Sequence, residues 1–332
     1  MKYLVLAYYR FTPLDNPLLE VKKHKNFFKN RDLTGRIYLS EQGINGQMSG
    51  LEEDVRSYMS WLQEDPRFKE MFFKIQRHHE NTFPRMTVKY RAELAALGCE
   101  VDPSQTGRVV SPSEWKRMLE NPEENQLLID VRNSYETEVG HFEGALLPPL
   151  ENFRDFPAYA EKLKEMADPK KTKLLIYCTA GIRCELYSAL LKVKGFTNVY
   201  QLEGGIINYG IKEGDAHWKG KVFVFDDRLA VPIDEKEAEP IASCRHCALP
   251  SDIHYNCANM DCNELYISCP SCQETYQGCC SHACKQSPRK RPFEREGGNK
   301  PFRRKHLIAP AKDAESAEPS PQCCLLKPSD PA

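Results

Sequence analysis

The chain has 332 residues, of which 41% are hydrophobic, and a formal net charge of -1, which fits a globular protein of two or three domains. No stretch approaches the roughly 18 apolar residues of a membrane span, and the apolar start lacks a signal-peptide cleavage site. We therefore expect a cytoplasmic protein without a membrane partner. In that compartment the 14 cysteines predict metal ligands and reactive thiols rather than a disulfide framework.

The first 95 residues predict a small α+β domain. Strand-type and helical patterns follow one another in the order βαββαβ, over residues 3–11, 16–28, 35–40, 46–49, 51–63 and 71–76. This order predicts a ferredoxin-like or acylphosphatase-like fold. The segments 77–79 and 85–91 are basic and aromatic, which fits either an RNA-contacting face or plain solvated surface. Arg85 and Lys89 are the candidate RNA contacts of this domain.

A connector over residues 96–110 leads to a second predicted domain, residues 111–225. Ser111 and Glu114 have the spacing of a capping box at a helix start. Strand-type and helical runs then alternate, over residues 126–131, 156–166, 173–177, 184–193 and 199–202. This alternation predicts a parallel α/β sheet, whose active loops lie at the carboxyl ends of the strands.

Cys178 follows one of these strands and precedes a helix. Its thiol should face unpaired backbone N–H groups and the positive end of a helix dipole, with Arg183 across the loop. Such surroundings favour the thiolate over a thiol of ordinary pKa, about 8.5. The alternative is a cysteine that only fills space at the end of a strand. Because Gly181 and Arg183 lie in the same loop, we predict a reactive Cys178, with Arg183 as its catalytic partner.

Several neighbours are predicted to support this loop: Thr179, Ala180, Gly181, Ile182 and Cys184. Cys184 fits either a resolving thiol or a small packing residue, and packing is the favoured interpretation. Asp130 and Arg132 are predicted to form a structural ion pair at the base of the loop. His141 is interpreted as a hydrogen-bonded turn residue rather than an acid or base.

The segment 240–286 is rich in cysteine. Eight of its cysteines are predicted metal ligands: Cys244, Cys247, Cys257, Cys262, Cys269, Cys272, Cys279 and Cys284. Such paired knuckles form closed tetrahedral zinc sites, and so short a segment has little other core, so two structural zinc ions are predicted. The pairing stays open between a sequential arrangement and an interleaved one that joins the first pair to the third. Cys280 and three histidines are alternative ligands: His246, His254 and His282.

Residues 287–332 are predicted to be a basic stretch followed by a disordered tail rich in Pro, Ser, Ala and Glu. The basic stretch supplies further candidate phosphate contacts: Arg289, Lys290, Arg291, Arg303, Arg304 and Lys305.

Five motifs in the second domain together resemble the rhodanese domain over about residues 110–220. They are Asp130-Val-Arg132, Tyr135-Glu136, Gly140-His141-Phe-Glu-Gly144-Ala145, Cys178-x4-Arg183 and Leu202-Glu-Gly-Gly205. The resemblance implies a loop sized for sulfur species, since related phosphatases have a loop one residue longer. Phosphatase activity is therefore not expected. In rhodaneses the matching cysteine carries a persulfide held by the loop amides.

Three features together resemble the tRNA uridine hydroxylase family over residues 1–285. They are the Cys178 loop, the stretch Tyr38-Leu-Ser-Glu-Gln-Gly-Ile-Asn-Gly46 and the cysteine-rich end. The resemblance implies an oxidoreductase that uses molecular oxygen to convert the wobble uridine of tRNA, position 34, to 5-hydroxyuridine. The family more often has Gly where Ala180 stands, and this small change is compatible with the same conformation of the loop backbone.

Two other functions stay open from the sequence. One is a rhodanese-type sulfurtransferase that uses a Cys178 persulfide, and the other is a non-enzymatic, zinc-stabilised binding module. Flavin and nicotinamide signatures and an iron-type ligand set are absent from the sequence. From nucleophile chemistry we interpret Cys178, as a thiolate or as a persulfide, as the group that adds to carbon 6 of uracil and makes carbon 5 electron-rich. The expected partner is tRNA, and no stable protein partner is evident.

Overall fold

The computed structural model describes residues 2–293, and the structural statements below concern that part of the chain. The amino-terminal region forms a five-stranded sheet with two helices. Its elements are β1 (Tyr3–Phe11), α1 (Pro17–Phe28), β2 (Leu33–Ser40), β3 (Gly43–Leu51), α2 (Glu52–Gln63), β4 (Lys74–His78) and β5 (Met86–Tyr90). The strand order is β4-β1-β3-β2-β5. The first four strands, with their two helices, confirm the predicted βαββαβ arrangement.

Two details differ from the sequence prediction. Strand β4 begins at Lys74 rather than at residue 71, because a 3₁₀ turn over Pro66–Phe68 first carries Met71 into the core. Strand β5 lies inside the basic segment 85–91, for which no strand was predicted. It pairs in parallel with the free edge of β2 and buries Val88, whereas Lys89 and Tyr90 at its end stay exposed.

The two faces of this sheet have different surroundings. Helices α1 and α2 cover the face that carries Leu6, Ile37 and Met48, all essentially inaccessible to solvent. Because successive side chains of a strand point to opposite faces, Arg36 and Gln47 lie on the other face. That second face is turned toward the central domain, whose Cys178 loop lies opposite it.

The central region contains a parallel sheet, as predicted, with four strands: the three expected from the sequence and one more, Arg108–Val110, inside the predicted connector. Its elements are β6 (Arg108–Val110), α3 (Pro112–Glu120), β7 (Gln126–Asp130), α4 (Ser134–Thr137), β8 (Gly140–Phe142), α5 (Phe156–Met166), β9 (Lys173–Tyr177), α6 (Ile182–Val193), β10 (Asn198–Leu202), α7 (Gly205–Glu213) and β11 (Trp218–Gly220). The sheet order is β6-β10-β9-β7. Ser111 caps α3 by accepting a hydrogen bond from the Glu114 N–H group, 3.2 Å away.

Two short strands, β12 (Val222–Phe223) and β13 (Ala230–Val231), lead from the central domain to the cysteine-rich region. The elements of the cysteine-rich region are also short: β14 (His254–Asn256), β15 (Leu265–Ile267), α8 (Pro270–Thr275) and α9 (His282–Lys285). It attaches to the central domain through the Lys221–Asp252 ion pair, 2.9 Å long, and through His254, whose Nε2 lies 3.0 Å from the Tyr135 carbonyl oxygen. None of the helices within residues 2–293 is long and apolar enough to cross a membrane. The domain boundaries given above stay a prediction.

Candidate active site and cysteine clusters

Cys178 lies immediately after β9 and is 1% exposed. The Gly181 N–H group donates to its sulfur over 3.2 Å, and α6 begins at the next residue, Ile182. Burial raises the pKa of the Cys178 thiol, but hydrogen bonds from the Cys184 thiol and from loop N–H groups, with the Arg183 charge, outweigh it and lower the pKa to about 5. Cys178 is therefore a thiolate at neutral pH.

Glu136 holds the guanidinium of Arg183 in a fixed position beside the loop. Its two terminal nitrogens donate to the two carboxylate oxygens over 2.6 and 2.7 Å, in a buried bidentate pair. Thr179 donates to the same carboxylate over 3.2 Å. Glu136 belongs to the Tyr135-Glu136 motif, but no role was predicted for it from the sequence. A signal was available, because an arginine buried beside a strand end requires a counter-ion.

Below the loop, Asp130 and Arg132 form the predicted ion pair, 2.6 Å long and fully buried. Arg132 also donates to the Gly140 carbonyl oxygen. Behind the loop, Gly205 adopts φ +67° and has no room for a side chain, since a Cβ atom there would lie 2.4 Å from the Cys178 carbonyl oxygen. This contact explains the glycine pair that ends the Leu202-Glu-Gly-Gly205 motif. His141 hydrogen-bonds through Nδ1 to the Thr137 carbonyl oxygen, in strand β8 rather than in a turn.

The amino-terminal domain also contacts the loop, which the sequence did not predict. Lys74, only 3% exposed, donates to the Ala180 carbonyl oxygen over 2.9 Å. Burial lowers the pKa of Lys74 to about 8, although the charges of Cys178 and Glu185 act in the opposite direction. Tyr9 donates to Glu185 over 2.7 Å. These contacts join residues more than 100 positions apart in the chain, so no local pattern could reveal them.

The nine cysteines of the segment 240–286 form two groups of four, and one cysteine belongs to neither group. The first group is Cys244, Cys247, Cys269 and Cys272, and the second is Cys257, Cys262, Cys280 and Cys284. This is the interleaved arrangement. Cys280, not Cys279, completes the second group, because α9 begins just after Cys280 and turns Cys284 toward it, with a sulfur separation of 3.7 Å. The Cys279 sulfur instead faces the Gln277 carbonyl oxygen.

Both groups have the dimensions of a tetrahedral metal site. Within each group the four sulfurs lie within 4.8 Å of one another, and the Cys247–Cys269 and Cys262–Cys280 separations are both 3.7 Å. Tetrahedral bonds of about 2.3 Å to zinc would place sulfurs about 3.8 Å apart. The two clusters could therefore each hold a metal ion. The three candidate histidines belong to neither group: His246 stacks on Tyr276, His254 contacts Tyr135, and His282 begins α9.

The predicted RNA contacts divide into three sets. Arg85 lies just before β5 and Lys89 lies within it; both are exposed, and neither forms an ion pair within the described residues. Arg289, Lys290 and Arg291 bind their own cysteine-rich region, through Asp261, the Lys285 carbonyl oxygen, and the Cys257 carbonyl oxygen with Asn263. Arg303, Arg304 and Lys305 lie outside the described residues. An RNA-binding role for all eight stays a prediction.

Three family descriptions match successive parts of the chain. Residues 3–94 match the UPF0176 acylphosphatase-like domain, residues 111–211 the rhodanese-like domain, and residues 219–285 the rhodanase C-terminal family. Among solved structures, the chain is similar to the solution structure of a rhodanese-like domain from Anabaena sp. That domain is 20% identical, with a TM-score of 0.29, over 35% of this chain and 80% of the other.

Curated proteins give much longer matches. A tRNA uridine(34) hydroxylase from Protochlamydia amoebophila (strain UWE25) is 57% identical over 92% of this chain and 95% of its own length. A tRNA uridine(34) hydroxylase from Chlamydia pneumoniae is 54% identical over 98% of this chain and 99% of its own length. All three regions of the chain therefore occur together, in the same order, in these relatives.

Proposed function

This chain belongs to the tRNA uridine(34) hydroxylase family, and from that premise we propose that it hydroxylates the wobble uridine of tRNA to 5-hydroxyuridine. The observation that carries the chemistry is the thiolate of Cys178 at the wall of a cavity of about 320 Å³. That volume is within the range of about 300–1,000 Å³ typical of small-molecule sites. A base inside a folded tRNA loop reaches such a site when it is flipped out of its stack.

In the proposed reaction the Cys178 thiolate adds to carbon 6 of uracil. The carbon–sulfur bond forms, and the electron pair of the carbon 5–carbon 6 double bond moves onto carbon 5 and the carbonyl oxygen at carbon 4. Carbon 5 then attacks an oxygen species derived from molecular oxygen. Loss of the proton from carbon 5 and departure of the thiolate restore the double bond. Overall, uridine, molecular oxygen, two electrons and two protons give 5-hydroxyuridine and water, so an external two-electron donor takes part.

The chain's own residues have distinct tasks in this scheme. Arg183 and the loop N–H groups keep the Cys178 thiol deprotonated, and Glu136 holds the Arg183 guanidinium in place. Cys184 donates its proton toward the thiolate, and the pKa of Cys184 is raised well above its ordinary value by burial and by Cys178. Cys184 is thus a positioning residue rather than a second nucleophile.

We assign zinc to both cysteine clusters, in a structural role. Four thiolates without an open position are typical of structural zinc sites. We further propose that tRNA approaches over the amino-terminal domain, where the exposed cations Arg85 and Lys89 are available to phosphates. The proposed location is the cytoplasm, where the tRNA substrate is found.

Nucleoside mass spectrometry tests the proposed function. In the source organism, deletion of the gene is expected to remove 5-hydroxyuridine from tRNA, and the wild-type chain should restore it. The Cys178→Ser variant should fail to restore it, whereas Cys99→Ser, at an exposed cysteine outside the loop, should succeed. Restoration by Cys178→Ser would exclude the nucleophilic role.

A sulfurtransferase would give a different result in the same experiment. Its deletion would lower a thiolated nucleoside and leave 5-hydroxyuridine unchanged. That alternative is not favoured, because the relatives that match nearly the whole chain are named as hydroxylases, whereas the match to the rhodanese-like domain covers residues 111–211.

A further inference from the structure

The cavity in front of Cys178 has two walls from different domains. One wall is the rhodanese-like loop with Cys178, Thr179 and Arg183. The other wall is the face of the amino-terminal sheet that helices α1 and α2 do not cover. Four of its side chains with hydrogen-bonding groups line the cavity: Arg36, Tyr38, Asn45 and Gln47. The comparisons and the sequence motifs give none of these four residues a role.

Strand pairing places these side chains in two adjacent rows. Arg36 lies opposite Gln47, and Tyr38 lies opposite Asn45, on the same face of the sheet. Directly opposite residues have Cβ atoms about 4.5–5.5 Å apart. A guanidinium, a carboxamide and an aromatic ring therefore share one small patch. The side-chain amide of Asn45 donates to the Leu94 carbonyl oxygen over 3.1 Å, and this hydrogen bond fixes Asn45 beside Tyr38.

The side chains of Arg36 and Gln47, which form the first of these rows, make no hydrogen bond or ion pair with the other described residues. Within residues 2–293, the Gln47 carboxamide has no hydrogen-bond partner, and the guanidinium of Arg36 has only a distant ring contact, 6.0 Å from the Phe83 centroid. Half-buried groups of this kind at a cavity wall are available to a ligand. A carboxamide can accept from N3–H of uracil while it donates to a neighbouring carbonyl oxygen. A guanidinium only donates, so it suits the oxygen at carbon 4 and not the amine of cytosine.

Tyr38 provides an aromatic surface beside this polar row. The guanidinium of Arg91 lies 5.4 Å from the centre of its ring, and Lys89 stands opposite Tyr38 on β5. Neither cation forms an ion pair within the described residues. An aromatic ring between a polar pocket and unpaired cations is a common arrangement for binding a single unstacked base with its flanking phosphates.

We propose that the patch of Arg36, Gln47 and Tyr38, hereafter the base patch, binds the flipped uracil against Cys178. Gln47 reads the N3 edge, Arg36 donates to the oxygen at carbon 4, and Tyr38 stacks on the ring. As the thiolate adds to carbon 6, negative charge grows on that oxygen, where the Arg36 guanidinium stabilises it. The amino-terminal domain is then the element that selects uridine. This inference rests on the proposed function and names its specificity-determining residues.

The test measures binding rather than turnover. Fluorescence anisotropy compares the full chain binding two anticodon stem-loop RNAs, one with uridine at position 34 and one with an abasic residue there. We expect the wild-type chain to bind the uridine RNA about tenfold more tightly than the abasic RNA. This ratio lies in the lower part of the range typical of base stacking on an aromatic side chain. Gln47→Ala and Tyr38→Ala should bind both RNAs equally. Cys178→Ser should keep the difference, because the patch does not depend on the thiol.

Matched controls separate the base patch from general damage to the domain. Gln63→Ala and Lys29→Ala change a glutamine at the end of α2 and an exposed lysine beyond α1, and both should keep the tenfold difference. Thermal unfolding of every variant checks the fold. A stem-loop with cytidine at position 34 adds a second readout. The wild-type chain should discriminate against cytidine, and Arg36→Ala should lose that discrimination.

The outcomes also distinguish the two levels of the proposal. If the wild-type chain makes 5-hydroxyuridine but Gln47→Ala and Tyr38→Ala keep the wild-type preference, the base patch is wrong and the proposed function stands. If the wild-type chain prefers the uridine RNA and the variants lose that preference, yet no 5-hydroxyuridine forms, the patch stands and the proposed reaction is wrong.

Discussion

Cysteines in two regions of this protein are brought to the thiolate state in different ways. At Cys178 the protein supplies all the compensation itself, with an arginine, a neighbouring thiol and loop N–H groups, and the pKa falls to about 5. In the first cysteine cluster the four thiols differ among themselves. Burial raises the pKa of Cys244, but hydrogen bonds from backbone N–H groups outweigh it and lower this pKa to about 5, whereas burial and the neighbouring thiols Cys247, Cys269 and Cys244 raise the pKa of Cys272 to about 12. Four thiolates can coexist there only with an external cation.

This difference separates a reactive thiol from a structural one. The charge that stabilises Cys178 is offset to one side, on Arg183, so the sulfur keeps its lone pairs for a substrate. A metal ion in a cluster would instead bind one lone pair of each of the four sulfurs, and the closed coordination would leave no position for a substrate. We therefore expect the same side chain to act as a nucleophile in one domain and as a metal-bound folding element in the other.

Metal removal should have the largest effect and tests the cluster side of this comparison. Binding free energies of structural zinc are about 10–16 kcal/mol in small domains, and a chelator should therefore unfold the cysteine-rich region. We expect two zinc ions per chain by elemental analysis and one in Cys280→Ser. The matched control Cys279→Ser should retain two, because Cys279 lies outside both groups. Loss of a zinc ion in Cys279→Ser with retention in Cys280→Ser would reverse the ligand assignment.

The Arg183–Glu136 pair gives the next largest effect. Glu136→Gln removes the counter-ion of a buried guanidinium, which should lower the free energy of unfolding by about 3–5 kcal/mol. The matched control is Glu52→Gln, which weakens surface ion pairs with Arg56 and Arg77 and should leave the melting temperature nearly unchanged. Thermal and denaturant unfolding measure both variants. Equal effects of the two substitutions would show that the buried pair has no special role.

The acidity of Cys178 provides a smaller and more specific test. Cys184→Ala removes a thiol donor and should raise the pKa of Cys178, whereas Cys184→Ser keeps a donor and should change this pKa less. The pH dependence of alkylation by iodoacetamide, followed by mass spectrometry, gives this pKa. An unchanged alkylation profile in Cys184→Ala would contradict the hydrogen bond.

The same shift makes a prediction about stability. A thiol whose pKa is depressed in the folded state stabilises the fold fully above the pKa of the unfolded chain. That contribution declines as the pH falls from about 9 and is lost below about 5. Cys178→Ala should therefore reduce the free energy of unfolding more at pH 8 than at pH 5.

The parts of the fold and site that could be predicted from the sequence are those that depend on short segments of the chain. The strand–loop–helix around Cys178, the Asp130–Arg132 pair and the cysteine knuckles all follow from residues close together in the chain. Two site features could not be read this way. The choice of Cys280 over Cys279 depends on the direction of a four-residue helix, and the contact between Lys74 and the loop depends on how two domains meet. Neither leaves a periodic pattern in the sequence.

The Lys74 contact gives the smallest expected effect and tests whether the domains act together. Burial lowers the pKa of Lys74 to about 8, so the folded chain releases this proton before the unfolded chain does. Between pH 8 and about 10.5 the unfolded state binds more protons, and stability should rise with pH. Lys74→Met should reduce that rise to the part contributed by Cys178, and it should lower hydroxylation a few-fold, because the Ala180 carbonyl loses its donor. Denaturant unfolding at pH 7.5 and 10 measures the first effect. An equal pH dependence in both proteins would mean that Lys74 is not buried between the domains in solution.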